Sequence, residues 1–401
     1  MHPSWPHLRA LLLCAAVLAT VACGGGGGGS SSSAPSIAVA DSLTNLQPTS
    51  DTVLSPVNAA GQDEDPVVLR TPDALWVAWF SDRNGTQNDG VIDREIFLMR
   101  TTDGRRFTNP EQITRADRFS FYPRMAIDAR GIVHMAWDRV VPIPVGCIPG
   151  QVNQPCTGTL NQVLYKRSND DRTWVIDAEM AIGSGPGDWL PTIVIDRRND
   201  RPIVYFASPV RNQAGVVDLT LSTLRIYRVV FDGTNWSAPE MIQGVNADTS
   251  HNTYPTVVQR RDNTFMIVWT RYGLGNRNFD PGQVVNEPSA ETWFGESTDG
   301  VNFTAMRQLS DSSAAAPTDV FPTMYVAHDG TSWFALWQSG ATGVGVETAL
   351  SGGSAFQRVA RPEVAGYTPY VVATPTDGVF WSAWTVGPKE TPKIHHRYFR
   401  K

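Results

Sequence analysis

The stretch PTVVQRRDNTFMIVW, Pro255–Trp269, contains an apolar run, a polar turn around Arg261, Asp262 and Asn263, and a second apolar run that closes on tryptophan. Short apolar runs bounded by turn residues read as strands, and two of them about a polar turn read as a hairpin. The same plan recurs five times: PVVLRTPDALWVAW from Pro66, PRMAIDARGIVHMAW from Pro123, PTIVIDRRNDRPIVYF from Pro191, PTMYVAHDGTSWFALW from Pro322 and PYVVATPTDGVFWSAW from Pro369. The offset from proline to the closing aromatic is 13 to 15 residues in each copy. Proline is expected at the first strand position, where its missing N–H lies outside the ladder.

A third apolar segment and a second motif follow each hairpin: EIFLMRTTDGRRF, VLYKRSNDDRTW, LRIYRVVFDGTNW, TWFGESTDGVNF and GVETALSGGSAF. Asp103, Asp170, Asp232 and Asp299 recur at one position, where the fifth copy has Gly352, and Phe107, Trp174, Trp236, Phe303 and Phe356 follow four residues later. Short segments such as PEQIT, AEMAI, PEMIQ and MRQLS supply fourth strands. The sixth copy stops at KIHHRYFR without one, while DTVLSPV, Asp51–Val57, is available near the other end. Six repeats spaced 47 to 68 residues apart therefore predict an all-β chain, a six-bladed β-propeller of four-stranded antiparallel blades over residues 45–401. An N-terminal strand completing the last blade would close the ring and remove its free edges.

Residues 1–22 join a basic start to ALLLCAAVLATVA, too short for a membrane span of roughly 20 apolar residues and read as a signal peptide. LATVAC resembles the lipobox of bacterial lipoproteins, with Thr20 where that family has leucine. The resemblance implies lipidation of Cys23 and, with Gly24 next, sorting to the outer membrane; ordinary signal-peptidase cleavage near Ala22 is the other reading. The Gly/Ser-rich residues 23–44 would then be a flexible tether in the cell envelope, facing periplasm or surface. An oxidising compartment favours a disulfide between Cys147 and Cys156.

A net charge of -6 and a pI near 5.7 argue against nucleic acid or anionic lipid headgroups as partners, leaving the lipid anchor as the membrane contact. The expected state is a monomer. No cofactor is expected. Two of the seven histidines, His2 and His7, fall in the leader, and His395 and His396 point to opposite sides of a strand, so no metal site is expected.

With the Asp turn between third and fourth strands, the chain resembles the sialidase superfamily, whose Asp-box or BNR repeat has the form Ser/Thr-x-Asp-x-Gly-x-x-Trp/Phe. TTDGRRF, STDGVNF and SNDDRTW match with one residue fewer before the aromatic, and VFDGTNW and LSGGSAF are degenerate. The resemblance implies that Asp103, Asp170, Asp232 and Asp299 are structural clamps and that function lies on the opposite rim. The lead-ins GQDEDP, FSFYP, GDWLP, HNTYP, TDVFP and AGYTP would converge there, with Glu64 among their acids; the connecting loops add Asp138 and Arg94.

On that rim the resemblance implies Arg83, Arg139 and Arg271 as carboxylate ligands, Asp63 or Asp65 as acid/base, and Tyr367 with Glu287 as nucleophile and activating partner. Tyr122, Trp189, His251, Tyr254 and Asp319 would meet a sugar, although aromatics just before proline also serve as packing around the channel. The family's Arg-Ile-Pro signature is absent; the nearest arrangement, YPRMA, places Arg124 after the proline of the second blade. Two functions follow: a propeller that binds and hydrolyses a glycan, of exo-α-sialidase type if an enzyme, or a non-catalytic platform for an envelope protein.

Overall fold

The computed structural model describes residues 43, 45–50, 52–54, 61–83, 94–114, 119–143, 158–175, 178–210, 223–272, 290–310, 319–326, 333–339, 346–351, 357–359, 367–376, 379–387 and 392–400. Cys23, Cys147, Cys156, Glu287, Gly352 and Phe356 lie outside them, as do the leader and most of the tether. After β1 (Thr52–Val53), blade I comprises β2 (Asp63–Arg70), β3 (Leu75–Ser81), β4 (Glu95–Thr101) and β5 (Glu111–Gln112). Blade II comprises β6 (Ser120–Ile127), β7 (Val133–Ile143), β8 (Gly158–Arg167) and β9 (Met180–Ala181); blade III comprises β10 (Trp189–Asp196), β11 (Arg201–Pro209), β12 (Leu224–Val230) and β13 (Glu240–Met241). Blade IV comprises β14 (His251–Gln259), β15 (Phe265–Tyr272), β16 (Glu291–Ser297) and β17 (Thr304–Gln308). Blade V comprises β18 (Asp319–Val326), β19 (Trp333–Ser339), β20 (Val346–Ser351) and β21 (Gln357–Val359), and β22 (Tyr367–Ala373), β23 (Val379–Val386) and β24 (Lys393–Arg400) end the chain.

All pairings within these sheets are antiparallel. The expectation of six like blades is corrected on one point. Five sheets are four-stranded meanders of consecutive strands, whereas the last is a three-stranded meander to which β1 adds only two residues, Thr52 opposite His396 and Val53 opposite His395. The first strands β2, β6, β10, β14, β18 and β22 touch one another in that order, and β22 returns to β2, so the sheets form a ring about a central channel. Leu43 and Leu46, buried against Trp381 and Tyr398, reinforce the seam, where Leu46 N–H donates to Thr376 Oγ1 at 2.8 Å. Burying such side chains stabilises by about 1.5–3 kcal/mol each.

The prolines also depart from expectation. Each lies inside its strand at a break in register, as between Glu64 and Val67, Phe121 and Arg124, and Thr253 and Thr256. The residue before proline is left-handed in Asp65 (φ 50°), Tyr122 (52°), Leu190 (55°), Tyr254 (49°) and Thr368 (48°). A bulge tolerates proline because the unpaired position needs no N–H. Positive φ is unfavourable for such side chains and costs about 1–3 kcal/mol per residue. The fourth strands are likewise shorter than their sequence segments suggest, two residues in blades I, II and III.

At the opposite end the Asp turns hold the blades together. Asp299 Oδ1 accepts from Val301 N–H, Asn302 N–H and Ser297 Oγ at 2.8 Å each. Asp103 does the same with Arg105, Arg106 and Thr101, and Asp232 accepts from Thr234 and Asn235 N–H at 2.7 Å. In blade II the clamp is Asp171 rather than Asp170, accepting from Thr173 N–H at 3.0 Å and Thr173 Oγ1 at 2.6 Å. The following aromatic bolts blades I, III and IV to their predecessors: Phe107 meets Trp381, Trp236 meets Tyr165 and Phe303 meets Tyr205, at ring separations of 5.9, 4.8 and 6.5 Å.

Candidate functional site

Successive side chains of a regular strand point to opposite faces. The bulge at Asp65–Pro66 cancels that alternation, so Glu64 and Asp65 line one pocket. The bulge at Tyr122–Pro123 does the same for Phe121 and Tyr122. The pocket has a volume of about 260 Å³ on the rim opposite the Asp turns, and Phe80, Arg94, Phe119, Asn161 and Trp189 complete its wall. It thus draws on β2 and β3 of blade I, β6 and β8 of blade II, and the start of β10.

Asp65 is 5% exposed and anchored across the ring seam, its backbone N–H donating to Thr385 Oγ1 at 3.1 Å. Burial lifts its carboxyl from the ordinary value of 3.8 to about 6, and a hydrogen bond with Thr368 and the charges of Arg124 and Arg94 offset only part of that rise. Arg94 is held flat between rings, 5.2 Å above Phe80 and 4.9 Å above Phe119, and donates to Gln62 Oε1. An aromatic chain then runs inward, Phe119 to Phe121 at 5.5 Å, Phe121 to Tyr122 at 4.9 Å and Tyr122 to Tyr254 at 6.2 Å, each edge to face.

Beneath the pocket, Tyr122, Arg124, Thr368 and Tyr370 narrow the axis around a void of only about 10 Å³, with Arg124 lying 5.4 Å over Tyr370. Asp138 is fully buried nearby. It accepts from Leu190 N–H at 2.7 Å, and burial raises its carboxyl well above the usual range despite that bond. A pocket walled by rings, with one carboxylic acid poised near neutrality and a second acid beside it, can stack a sugar face and exchange protons with a glycosidic oxygen.

The other sequence-derived residues lie elsewhere. Asp63 and Arg83, expected in different roles, bond to each other at 2.6 Å, and Asp63 also accepts from Trp79 Nε1 at 2.9 Å and faces Lys393 at 3.4 Å. Arg139 pairs with Glu179 and donates to Ser120 Oγ at 3.2 Å, while Arg271 pairs with Asp248 and lies 4.4 Å over Trp293. The three arginines thus serve three separate carboxylates and do not converge. His251 accepts Leu224 N–H at 3.1 Å and stacks on Tyr272 at 4.9 Å; burial, with the charge of Arg225, pushes its pKa down to about 4.

Tyr254 is a buried member of the apolar cluster under the rim, whereas Tyr122 and Trp189 touch both that cluster and the pocket. Tyr367 and Asp319 begin β22 and β18; their side chains, and all of Glu287, are outside the described residues. The sequence places Glu64, Arg94 and the lead-in that holds Phe119 and Phe121 on this rim but gives them no role, and Phe80 and Asn161 are pocket residues that it does not single out. The available signal was the recurring aromatic or acid just before proline, which marks the bulge. Among the described residues no group of three or more His, Cys, Asp or Glu is arranged to hold a metal ion.

No family model matches the chain, and no curated protein matches it in sequence. Solved structures do. The GH93 α-L-arabinofuranosidase of Fusarium graminearum, in complex with arabinobiose, aligns with a TM-score of 0.61 at 15% identity over 88% of this chain and 98% of that one. The α-L-arabinanase of Penicillium chrysogenum, also with arabinobiose, gives 0.61 at 14% over 88% and 99%. The NanB sialidase of Streptococcus pneumoniae gives 0.56 at 8% over 86% and 69%. At these identities the likeness defines a class by fold: this chain is an all-β propeller of the architecture found in those glycoside hydrolases.

Proposed function

We propose that the pocket between blades I and II binds a neutral glycan and hydrolyses its glycosidic bond, with Asp65 as the general acid. The observation that carries this reading is Asp65 itself. It is buried in the wall of an open, ring-lined pocket, with a carboxyl lifted to about 6 and Glu64 beside it. A protonated Asp65 gives its proton to the departing glycosidic oxygen, and the Glu64 carboxylate stabilises positive charge at the sugar carbon or activates the attacking water. Phe121, Tyr122 and Trp189 offer faces for stacking, while Arg94 and Asn161 offer donors for hydroxyls.

A neutral sugar is favoured over an acidic one because Arg83, Arg139 and Arg271 are occupied by Asp63, Glu179 and Asp248. Fold likeness to an α-L-arabinofuranosidase, an α-L-arabinanase and a sialidase supports glycoside chemistry in general. We further propose that the domain works in the cell envelope, tethered through Cys23; metabolic labelling with a palmitate analogue, with Cys23→Ala as control, tests this.

The experiment is release of aglycone from 4-methylumbelliferyl glycosides, including α-L-arabinofuranoside and an α-sialoside, by wild type and Asp65→Asn. Turnover of a neutral glycoside that Asp65→Asn loses supports the proposal. Turnover confined to the sialoside overturns it in favour of an acidic substrate, and no turnover of any glycoside together with no glycan retained on an array overturns it and leaves the protein-binding platform.

A further inference from the structure

A second cavity opens at the other end of the channel, where the first strands end. It has a volume of about 680 Å³, within the range of small-molecule sites. Each of the six first strands contributes aliphatic wall: Val68, Met125, Ile193, Val257, Met324 and Val372, all 6% exposed or less. Its mouth is basic. Arg70, Arg197 and Arg261 stand there at or just beyond the ends of β2, β10 and β14, in three blades.

Arg70 is partnered by the hydroxyl of the half-buried Tyr325. Arg197 and Arg261 are exposed, and among the described residues neither guanidinium has an ion pair or hydrogen bond. The two acids at the mouth are engaged otherwise. Asp128 is held by Arg130 and His134, and Asp200 accepts Ala129 N–H from the neighbouring blade at 2.8 Å. The rim is fixed at its backbone too, because Arg197 N–H donates to Gln259 Oε1 of blade IV at 2.6 Å. Above, the narrowing at Tyr122, Arg124 and Tyr370 separates this cavity from the sugar pocket, so the two are distinct sites.

We infer that the lower cavity is a binding site for an anionic amphiphile, a carboxylate on a short aliphatic body, with the body in the channel and the carboxylate between Arg197 and Arg261. An apolar blind channel rejects the hydrated anion alone, and a guanidinium pair at its mouth recognises a carboxylate by planar, charge-assisted hydrogen bonds. Neither feature alone would give this selectivity.

Isothermal titration of the full chain with octanoate tests it, with acetate and octanol as probes that each carry half of the ligand. Expected is saturable octanoate binding, at least tenfold weaker binding of acetate and octanol, and at least a tenfold loss in Arg197→Ala/Arg261→Ala, whose exposed positions leave folding intact. No saturation by octanoate, or octanoate binding that the double variant retains, overturns the site. Glycoside turnover is read at the other pocket, so failure here and failure of the hydrolase reading are distinguishable.

Discussion

The two rims of the ring use aspartate in opposite ways. At the upper rim Asp65 is buried with few donors, and desolvation lifts its carboxyl to about 6. At the lower rim Asp299 accepts from two backbone N–H groups, the Asn302 amide and the Ser297 hydroxyl; these outweigh burial and hold its carboxyl below the ordinary range. Asp128 behaves similarly: His134 at 3.4 Å and hydrogen bonds from the Arg130 guanidinium and Ile132 N–H overcome burial and bring it to about 2. A saturated carboxylate is a clamp, and a desolvated one is available for proton transfer. Position in the repeat assigns the role.

The contrast breaks most sharply at Asp65. Replacing Asp65 by Asn is expected to lower glycoside hydrolysis by about 10²–10⁴-fold, the usual worth of a general acid. The same variant should be more stable than wild type at pH 8. The folded carboxyl titrates near 6 and the unfolded one near 3.8, so the folded state holds the proton more tightly. Wild-type stability from this group is complete below pH 3.8 and declines as pH rises through 6, by roughly 3 kcal/mol in total. The Asp65→Asn variant lacks that decline. Urea denaturation of both proteins at pH 4 and pH 8 measures it, and equal pH dependence would mean that Asp65 is solvated.

Gly300 sharpens the lower half of the comparison. Its φ is +75°, and a Cβ there would lie 2.6 Å from Tyr205 Oη, whose hydroxyl donates to Gly300 O at 2.9 Å across the blade boundary. Gly300→Ala should destabilise by about 1–3 kcal/mol through left-handed strain and the clash, without altering kcat. Thermal unfolding beside a turnover assay tests this. Asp299→Ala is expected to cost somewhat less, about 1–2 kcal/mol, because the exposed turn can offer its freed N–H groups to water. Its pH signature is opposite to that of Asp65: the folded carboxyl is depressed, so its contribution is present above pH 3.8 and fades as pH falls below it.

The sequence made the lower rim legible and the upper rim largely not. Proline-to-aromatic spacing and the Asp turn are set by local chemistry, with hydrogen bonds two and three residues away, so the motif that carries the family resemblance, and with it the clamp role of Asp103 and Asp299, stands in a contiguous stretch of sequence. The pocket depends on bulges that put Glu64 and Asp65 on one side, which strict alternation forbids. The arginines failed for a different reason. Arg83, Arg139 and Arg271 do stand after closing aromatics, but their carboxylate partners lie 20, 40 and 23 residues away, and no local pattern announces such pairs.

Arg271 supplies the smallest expected effect and tests the upper rim from its margin. Its side chain is 27% exposed and that of Asp248 is 46% exposed, so solvent screens the pair and its worth is at most about 1 kcal/mol. Arg271→Ala also removes a guanidinium stacked on Trp293, which adds a few tenths to about 1 kcal/mol at such a partly exposed site. A small fall in melting temperature with unchanged kcat and KM on a neutral glycoside is therefore expected. A rise in KM of tenfold or more, seen only with substrates that carry a carboxylate, would instead assign Arg271 to substrate and move the acid-recognising part of the rim to blade IV.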